Sequence, residues 1–181
     1  MEYKELKKRI IEQGVIPELG GNGVLMQNPD ELARFYLWLE ENKIEKRYFE
    51  IGTSYGGLMK FFYELDWDVW GCDPHTEPTE ISLLRVCKNF SHRADTISFF
   101  DQHKPYGFVL IDGDHSYEAV KRDFEIYSKQ TKVIAFHDIC GLRGEEDAKR
   151  FWGEIKILYP NTYEFISDDP AYKAGIGVVC L

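Results

Sequence analysis

The chain has 181 residues, of which 44% are hydrophobic and 15% aromatic. This length is enough for one domain with its own hydrophobic core, and the composition excludes a disordered protein. The 31 acidic residues outnumber the 22 basic residues, which leaves a formal net charge of -9 at pH 7. Because an acidic surface repels nucleic-acid backbones and anionic lipids, we expect no nucleic-acid partner.

The cysteine spacing and the N-terminal residues favour a cytoplasmic location. The four cysteines show no CxxC pair and no spacing typical of a zinc site or a disulfide framework: Cys72, Cys87, Cys140 and Cys180. The N-terminus is charged and lacks the apolar core of a signal peptide, and no run of 18 apolar residues occurs. We therefore expect a cytoplasmic protein with reduced thiols and no membrane association.

The N-terminal part is predicted to form a helical lid or extension over residues 1–46. Apolar residues recur at helical spacing over residues 2–13, which predicts a first helix. Asn28, followed by a proline, predicts the cap of a second helix over residues 30–42. The main domain is then expected over residues 47–181.

From residue 47 onward, short apolar runs alternate with helical stretches, a pattern typical of a parallel sheet. In chain order, the segments are RYFEIG, GLMKFFYEL, DVWGCD, EISLLRVCKNF, FSHRAD, GFVLID, SYEAVKRDFEIYS, KVIAFHD and EDAKRFWGEIKILY. Two last strands, TYEFIS and GIGVVCL, flank the turn signal at residues 168–170 and are expected to pair as an antiparallel hairpin. The sequence predicts a single α/β domain, doubly wound and Rossmann-like, with six or seven mostly parallel strands.

The first predicted strand ends in the pattern ExGxxxGG, which begins at Glu50. Glycines permit a tight turn and let a ligand lie against bare backbone at the strand end. A dinucleotide loop would read GxGxxG, but position 54 is a serine, and an acidic residue at position 50 suits a cationic ligand such as the ammonium end of S-adenosylmethionine. The candidate cofactor residues of this loop are Glu50, Gly52, Thr53, Ser54, Tyr55 and Gly56.

Further cofactor candidates lie at the ends of the next predicted strands. Asp73, which Pro74 follows, is placed to accept hydrogen bonds from ribose hydroxyls, as in any adenosine site. Asp95, after Ala94, either accepts from an adenine amino group or caps the following helix. Asp112 ends the fourth predicted strand and is expected to border the same pocket.

Together these motifs resemble those of class I S-adenosylmethionine-dependent methyltransferases. The resemblance is carried by FEIGTSYGG, GCDPH, RAD, FVLIDGDHSYEAVKRDFE and AFHDI. The segments are most similar to the small Methyltransf_24-type group, akin to the cephalosporin hydroxylase-like and macrocin O-methyltransferase-like enzymes, over roughly residues 47–181. The resemblance implies a seven-stranded sheet with a C-terminal antiparallel hairpin, S-adenosylmethionine as the cofactor, and methyl transfer.

Acid and imidazole side chains end the fourth and fifth predicted strands. Asp112 and His115 follow one strand, and His137 and Asp138 end the next. We expect the two pairs to face each other, and these ligand types suit an octahedral divalent ion such as Mg²⁺ or Mn²⁺ better than tetrahedral zinc. The resemblance points to Asp112, His137 and Asp138 as metal ligands. In the alternative interpretation, His137 and Asp138 provide a base and its partner without a metal.

The expected reaction is O-methyl transfer to a hydroxyl group of a small molecule or sugar. In this hypothesis the metal or His115 lowers the effective pKa of that hydroxyl, and Asp112 and His137 complete the catalytic group. Another interpretation of His115 is a loop residue beside a helix cap formed by Asp114 or Ser116.

Two rival functions share the fold. One is a non-catalytic module that binds a nucleoside, and the other is an NAD-dependent oxidoreductase, which the glycine pattern disfavours. The methyl acceptor, a small molecule or a glycan, cannot be named from the sequence. The oligomeric state is also left open, with a homo-oligomer among the options.

Overall fold

The computed structural model describes residues 1–14, 25–75, 85–141, 146–169 and 173–181. The described strands are β1 (Arg47–Ile51), β2 (Asp68–Cys72), β3 (Val86–Cys87), β4 (Phe108–Ile111), β5 (Val133–His137), β6 (Thr162–Phe165) and β7 (Ile176–Cys180). The described helices are α1 (Tyr3–Gln13), α2 (Pro29–Glu41), α3 (Gly57–Tyr63), α4 (Ala94–His103), α5 (Tyr117–Tyr127) and α6 (Glu146–Leu158).

The seven described strands form one sheet in the order β3-β2-β1-β4-β5-β7-β6. Strands β1 to β5 are parallel, whereas β7 runs antiparallel to both β5 and β6. This order confirms the predicted mostly parallel sheet and its antiparallel C-terminal pair. Pro170, part of the predicted hairpin turn, lies outside the described residues. The strand order reverses between β1 and β4, which is where doubly wound folds bind ligands.

Helices cover both faces of the sheet because alternate strand residues point to opposite sides. On β1, Tyr48 packs into a core shared with α1, α2 and α3, while Phe49 packs into a second core with α4, α5 and α6. Phe62 of α3 and Trp152 of α6 are among the large buried side chains of the two cores. No helix among the described residues is long and apolar enough to cross a membrane.

The two N-terminal helices are integrated into the first core. Asn28 caps α2, since its side chain accepts from the backbone N–H groups of Asp30 (2.8 Å) and Glu31 (3.2 Å). The fully buried carboxylate of Glu31 accepts from the backbone N–H groups of Ser167 and Gly175, both at 2.8 Å. Helix α2 is thereby tied to both ends of the connection between β6 and β7. The assignment of residues 1–46 as a lid stays a prediction.

The prediction of a third strand over FSHRAD is wrong. The third strand is the two-residue β3, in which Val86 and Cys87 pair with Gly71 and Cys72 of β2. A strand this short has no alternation for a sequence pattern to show. The predicted helix over residues 80–90 is wrong where it covers β3, and its first residues lie outside the described ranges.

We predict that Asn28→Ala lowers the free energy of unfolding by about 1 kcal/mol, because two N-terminal N–H groups of α2 lose their acceptor. Urea denaturation of the full chain measures this change. The slope of the free energy of unfolding against urea concentration should stay unaltered. Asn28→Ser, which retains a capping oxygen, is the matched control and should be within about 0.5 kcal/mol of the wild type. Equal stability of the alanine and serine variants would contradict the capping role.

Candidate functional site

The loop between β1 and α3 needs glycine at two positions. Gly52 has φ +89°, and a Cβ atom there would lie 2.2 Å from the carbonyl oxygen of Asp112. Gly56 has φ +74° and is the N-cap residue of α3. The glycine pattern therefore reflects a left-handed turn pressed against the end of β4, as the motif predicts.

A cavity of about 680 Å³ opens at the carboxyl ends of β1, β2 and β4. This volume is within the usual range for a small-molecule or cofactor site. Six of the predicted cofactor residues line it: Gly52, Ser54, Tyr55, Asp73, Pro74 and Asp112.

Asp73 joins the two loops at the cavity edge. One carboxylate oxygen accepts from the backbone N–H of Ser54 at 2.8 Å, and the other accepts from that of His75 at 2.6 Å. These two hydrogen bonds fix the orientation of the carboxylate beside the cavity. Each oxygen retains capacity for a further donor, since a carboxylate accepts about four hydrogen bonds.

The structure does not place three other predicted loop residues, Glu50, Thr53 and Gly56, on the cavity wall. Glu50 is 2% exposed and accepts a hydrogen bond from the Tyr48 hydroxyl at 2.8 Å. Burial, together with the nearby charge of Asp112, raises the pKa of Glu50 well above its usual range. A positive charge brought close to Glu50 would therefore favour its ionised form.

Ala94 and Asp95 also lie away from the cavity wall, because they form the first turn of α4 rather than a strand end. Asp95 accepts from the Asn89 side chain at 2.6 Å and from the backbone N–H of Thr96 at 3.1 Å. An acidic side chain in this turn is favourable to the helix dipole. The prediction that Asp95 caps the helix is wrong in its position, because the helix already begins at Ala94 and its N-cap residue is Arg93. The predicted contact with an adenine amino group stays a prediction.

The far wall of the cavity comes from residues that the sequence analysis missed. Ser91 lines it and donates its hydroxyl to Asp123 of α5 at 2.5 Å, and the Tyr127 hydroxyl donates to the Ser91 carbonyl at 2.8 Å. Asp123 is 2% exposed and also lines the cavity. Burial raises the pKa of Asp123 to about 6. Phe90 stands half exposed at the same wall.

Beside the cavity, the polar side chains that follow β4 and end β5 converge, as expected. The Nδ1 atom of His137 lies 3.1 Å from a carboxylate oxygen of Asp112 and 3.1 Å from one of Asp138. The Nε2 atom of His115 lies 3.6 Å and 3.5 Å from the same two oxygens. We call these four residues the acid–imidazole cluster. Asp112 belongs both to this cluster and to the cavity wall.

The charges within the acid–imidazole cluster stabilise one another. Burial raises the pKa of a carboxyl group, but at Asp112 this is outweighed by His137 and His115, which hold the pKa at about 2. Burial lowers the pKa of an imidazole, but at His137 the carboxylates of Asp112 and Asp138 outweigh it and raise the pKa well above its usual range. Asp112 is therefore an anion across the physiological pH range.

The acid–imidazole cluster fits a divalent cation. Ligand atoms of Asp112, His115 and Asp138 all lie within 4.8 Å of one another. In an octahedral site with bonds of about 2.1 Å, adjacent ligand atoms are about 3.0 Å apart, and the Nε2 atom of His115 lies 3.6 Å and 3.5 Å from the two carboxylate oxygens. Among the described residues, none is within hydrogen-bond distance of the buried Nε2 atom of His137. This group holds two of the three predicted ligands, Asp112 and Asp138, together with His115 in place of His137. The role of His137 as a ligand stays a prediction.

Solved structures of known methyltransferases share this fold. The human methyltransferase 10 domain containing protein is 12% identical, with a TM-score of 0.60, over 87% of this chain and 83% of its own. The O-methyltransferase TomG from Streptomyces achromogenes, involved in tomaymycin synthesis and solved with SAM, is 11% identical, with a TM-score of 0.59, over 98% and 89%. A putative O-methyltransferase from Klebsiella pneumoniae is 11% identical, with a TM-score of 0.60, over 97% and 89%.

The chain has the class I methyltransferase fold. At these identities the likeness is one of fold. No protein-family profile matches the sequence, and no curated protein matches it. The narrower Methyltransf_24-type assignment accordingly stays a prediction. Within this methyltransferase fold, the glycine turn, Asp73 and the acid–imidazole cluster occupy the carboxyl edge of the sheet, where doubly wound folds carry their chemistry.

We predict that Asp123→Asn changes the pH dependence of stability. Because the pKa of Asp123 is raised when folded, ionisation opposes folding as pH rises from about 4 to about 6. The asparagine variant escapes this penalty, so its stability relative to the wild type should improve by about 2 to 3 kcal/mol between pH 4 and pH 7. Urea unfolding at four pH values measures the difference.

Asp114→Asn is the matched control for this titration. The backbone N–H of Ser116 lowers the pKa of Asp114, so its carboxylate is favoured in the folded state. The relative stability of this variant should worsen, not improve, as pH rises through the range of the Asp114 carboxyl. A pH-independent difference between Asp123→Asn and the wild type would contradict the assignment of a raised pKa to Asp123.

Proposed function

We propose that the chain is an S-adenosylmethionine-dependent methyltransferase that methylates a hydroxyl group of a small molecule or sugar. The observation that carries the proposal is the double position of Asp112, which lines the cavity and also belongs to the acid–imidazole cluster. A cofactor in the cavity and a hydroxyl at the cluster would therefore be neighbours. Holding two reactants next to each other is the main contribution that methyl transfer needs from a protein.

The cavity residues suit the parts of S-adenosylmethionine. Gly52 presents backbone to the ligand, and Asp73 is oriented to accept hydrogen bonds from the two ribose hydroxyls. Glu50 lies behind the glycine turn, where a direct or water-mediated contact with the ammonium group would ionise it. Ser91 and Asp123 form the opposite wall, which leaves that part of the cavity for the base.

The acid–imidazole cluster suits a divalent cation with mixed oxygen and nitrogen ligands. Asp112, His115 and Asp138 would hold it, with His137 bridging the two carboxylates or joining them as a ligand. A bound cation would supply Lewis-acid chemistry, which lowers the pKa of a substrate hydroxyl. The imidazole of His115 favours Mn²⁺ over Mg²⁺, because Mg²⁺ prefers oxygen ligands.

The protein residues of the acid–imidazole cluster differ in their access to a substrate. The side chain of His115 is 26% exposed, whereas those of Asp112, His137 and Asp138 are each about 10% exposed. In the arrangement without a bound cation, His115 is therefore our candidate for accepting the proton of the hydroxyl group. The hydrogen bonds from His137 keep both carboxylates in place.

Two features favour methyl transfer over the oxidoreductase alternative. A dinucleotide-binding sheet has the strand order 3-2-1-4-5-6, whereas here β7 is inserted antiparallel between β5 and β6. In addition, Ser54 has φ 47° at the position where a dinucleotide loop has its second glycine. The non-catalytic binding module stays the main alternative, and a convergent polar cluster beside the cavity favours catalysis over it.

Paired variants test the proposal by separating the cofactor from the cation. Asp73→Asn should weaken S-adenosylhomocysteine binding about tenfold or more, through loss of charged hydrogen bonds to the ribose, and leave Mn²⁺ binding unchanged. Asp138→Asn should weaken Mn²⁺ binding about tenfold or more and leave S-adenosylhomocysteine binding within about twofold. Asparagine tolerates the left-handed backbone at position 138, so the fold should be preserved.

Isothermal titration of the wild type and both variants measures the two affinities. Mn²⁺ should also bind the wild type more tightly than Mg²⁺. Binding of NADH in place of S-adenosylhomocysteine would contradict the cofactor assignment. Equal effects of both variants on both ligands would contradict the separation of the two sites.

A further inference from the structure

Gln27 reaches the acid–imidazole cluster from the N-terminal part of the chain. Its side chain is 7% exposed, and its Nε2 atom donates to a carboxylate oxygen of Asp112 at 3.1 Å, across 85 positions of sequence. The next residue, Asn28, is held in place because it caps α2. The backbone that carries Gln27 is therefore anchored to a helix of the core.

The orientation of the Gln27 amide follows from its partner. The amide nitrogen faces the carboxylate, whereas a reversed amide would bring two acceptor oxygens together. The amide oxygen, Oε1, is then directed elsewhere. It is buried, and no described residue lies within hydrogen-bond distance of it. Since buried polar atoms nearly always have a partner, the partner of this oxygen is expected to come from a ligand.

The two carboxylate oxygens of Asp112 have different partners. Oδ2 is held by the glutamine, while Oδ1 faces His137 at 3.1 Å and His115 at 3.6 Å. Carboxylates that bind metal ions are commonly fixed in this way, by a hydrogen bond to the oxygen that faces away from the ion.

We propose that Gln27 is a positioning residue of the divalent-cation site, a role that rests on the cation site of the proposed function. Its amide nitrogen donates to Asp112 Oδ2 and thereby orients the carboxylate, so that Oδ1 faces the imidazoles. The N-terminal part of the chain then contributes a side chain to the reaction centre. Gln27 thereby couples the acid–imidazole cluster to the start of α2.

The test is a titration of the full-length protein with Mn²⁺. Gln27→Met keeps the length of the side chain but removes both polar atoms, so the dissociation constant for Mn²⁺ should increase about tenfold. S-adenosylhomocysteine affinity should stay within about twofold, whereas the cation-free unfolding midpoint should fall, because Asp112 Oδ2 loses its donor. Gln102→Met, on an exposed glutamine of α4 that contacts Ser98, is the matched control and should leave Mn²⁺ binding unaltered.

Gln27→Asn serves as the second variant, because it keeps the amide but is one methylene too short to hold Asp112 at the same distance. It should also weaken Mn²⁺ binding, by less than the methionine variant. Wild-type affinity for Mn²⁺ in either variant would overturn the inference. If the wild type binds S-adenosylhomocysteine but no Mn²⁺, the cation site and this role of Gln27 are overturned while the cofactor assignment stands. If it binds neither, the proposed function itself fails.

Discussion

The backbone contact between the ends of β1 and β4 determines the arrangement of the site. Gly52 is pressed so closely against the carbonyl oxygen of Asp112 that a Cβ atom would be only 2.2 Å away. The same two strands are joined by a hydrogen bond from the Asp112 N–H to the Ile51 carbonyl at 2.9 Å. Because no side chain separates them, the glycine turn and Asp112 border one cavity. Asp112 can then contact His137 at the end of the next strand.

Negative charge is concentrated around this contact, and it explains which ligands the site favours. Glu50, Asp73 and Asp112 lie near one another, and the pKa of Glu50 is raised by burial and by the other two carboxylates. Two imidazoles, His115 and His137, balance the charge on only one side of the site. A cationic ligand near Glu50 and a divalent cation near Asp112 would each relieve this repulsion. The site is therefore better suited to a sulfonium-bearing cofactor than to a pyrophosphate.

Sequence patterns predicted the parts of the molecule that depend on local spacing. The strand ends at Glu50, Asp112 and His137 were identifiable because short buried strands are followed by polar residues, and the sheet then brings those ends together. Strand β3 was misplaced because two residues, Val86 and Cys87, are too few to show a period.

The missed site residues lack a local signal. Asp123 lies inside α5, and an acidic residue within a helix normally marks an exposed face. The signal that could have identified it is its spacing of four residues from Tyr127, which places both side chains on the helix face that contacts Ser91. Gln27 has no motif around it, and its contact with Asp112 arises only when α2 packs against the sheet. Contacts between distant segments such as these follow from tertiary packing, which a single sequence does not display.

A crystal structure of the protein with S-adenosylhomocysteine and Mn²⁺ tests the central claim most directly, because anomalous scattering locates the metal. The account predicts ribose hydroxyls on Asp73 and a manganese peak bound by Asp112 and Asp138, with the cofactor sulfur facing that peak. A nucleoside bound elsewhere, or a manganese peak outside the acid–imidazole cluster, would contradict the claim that cofactor and cation share one centre through Asp112.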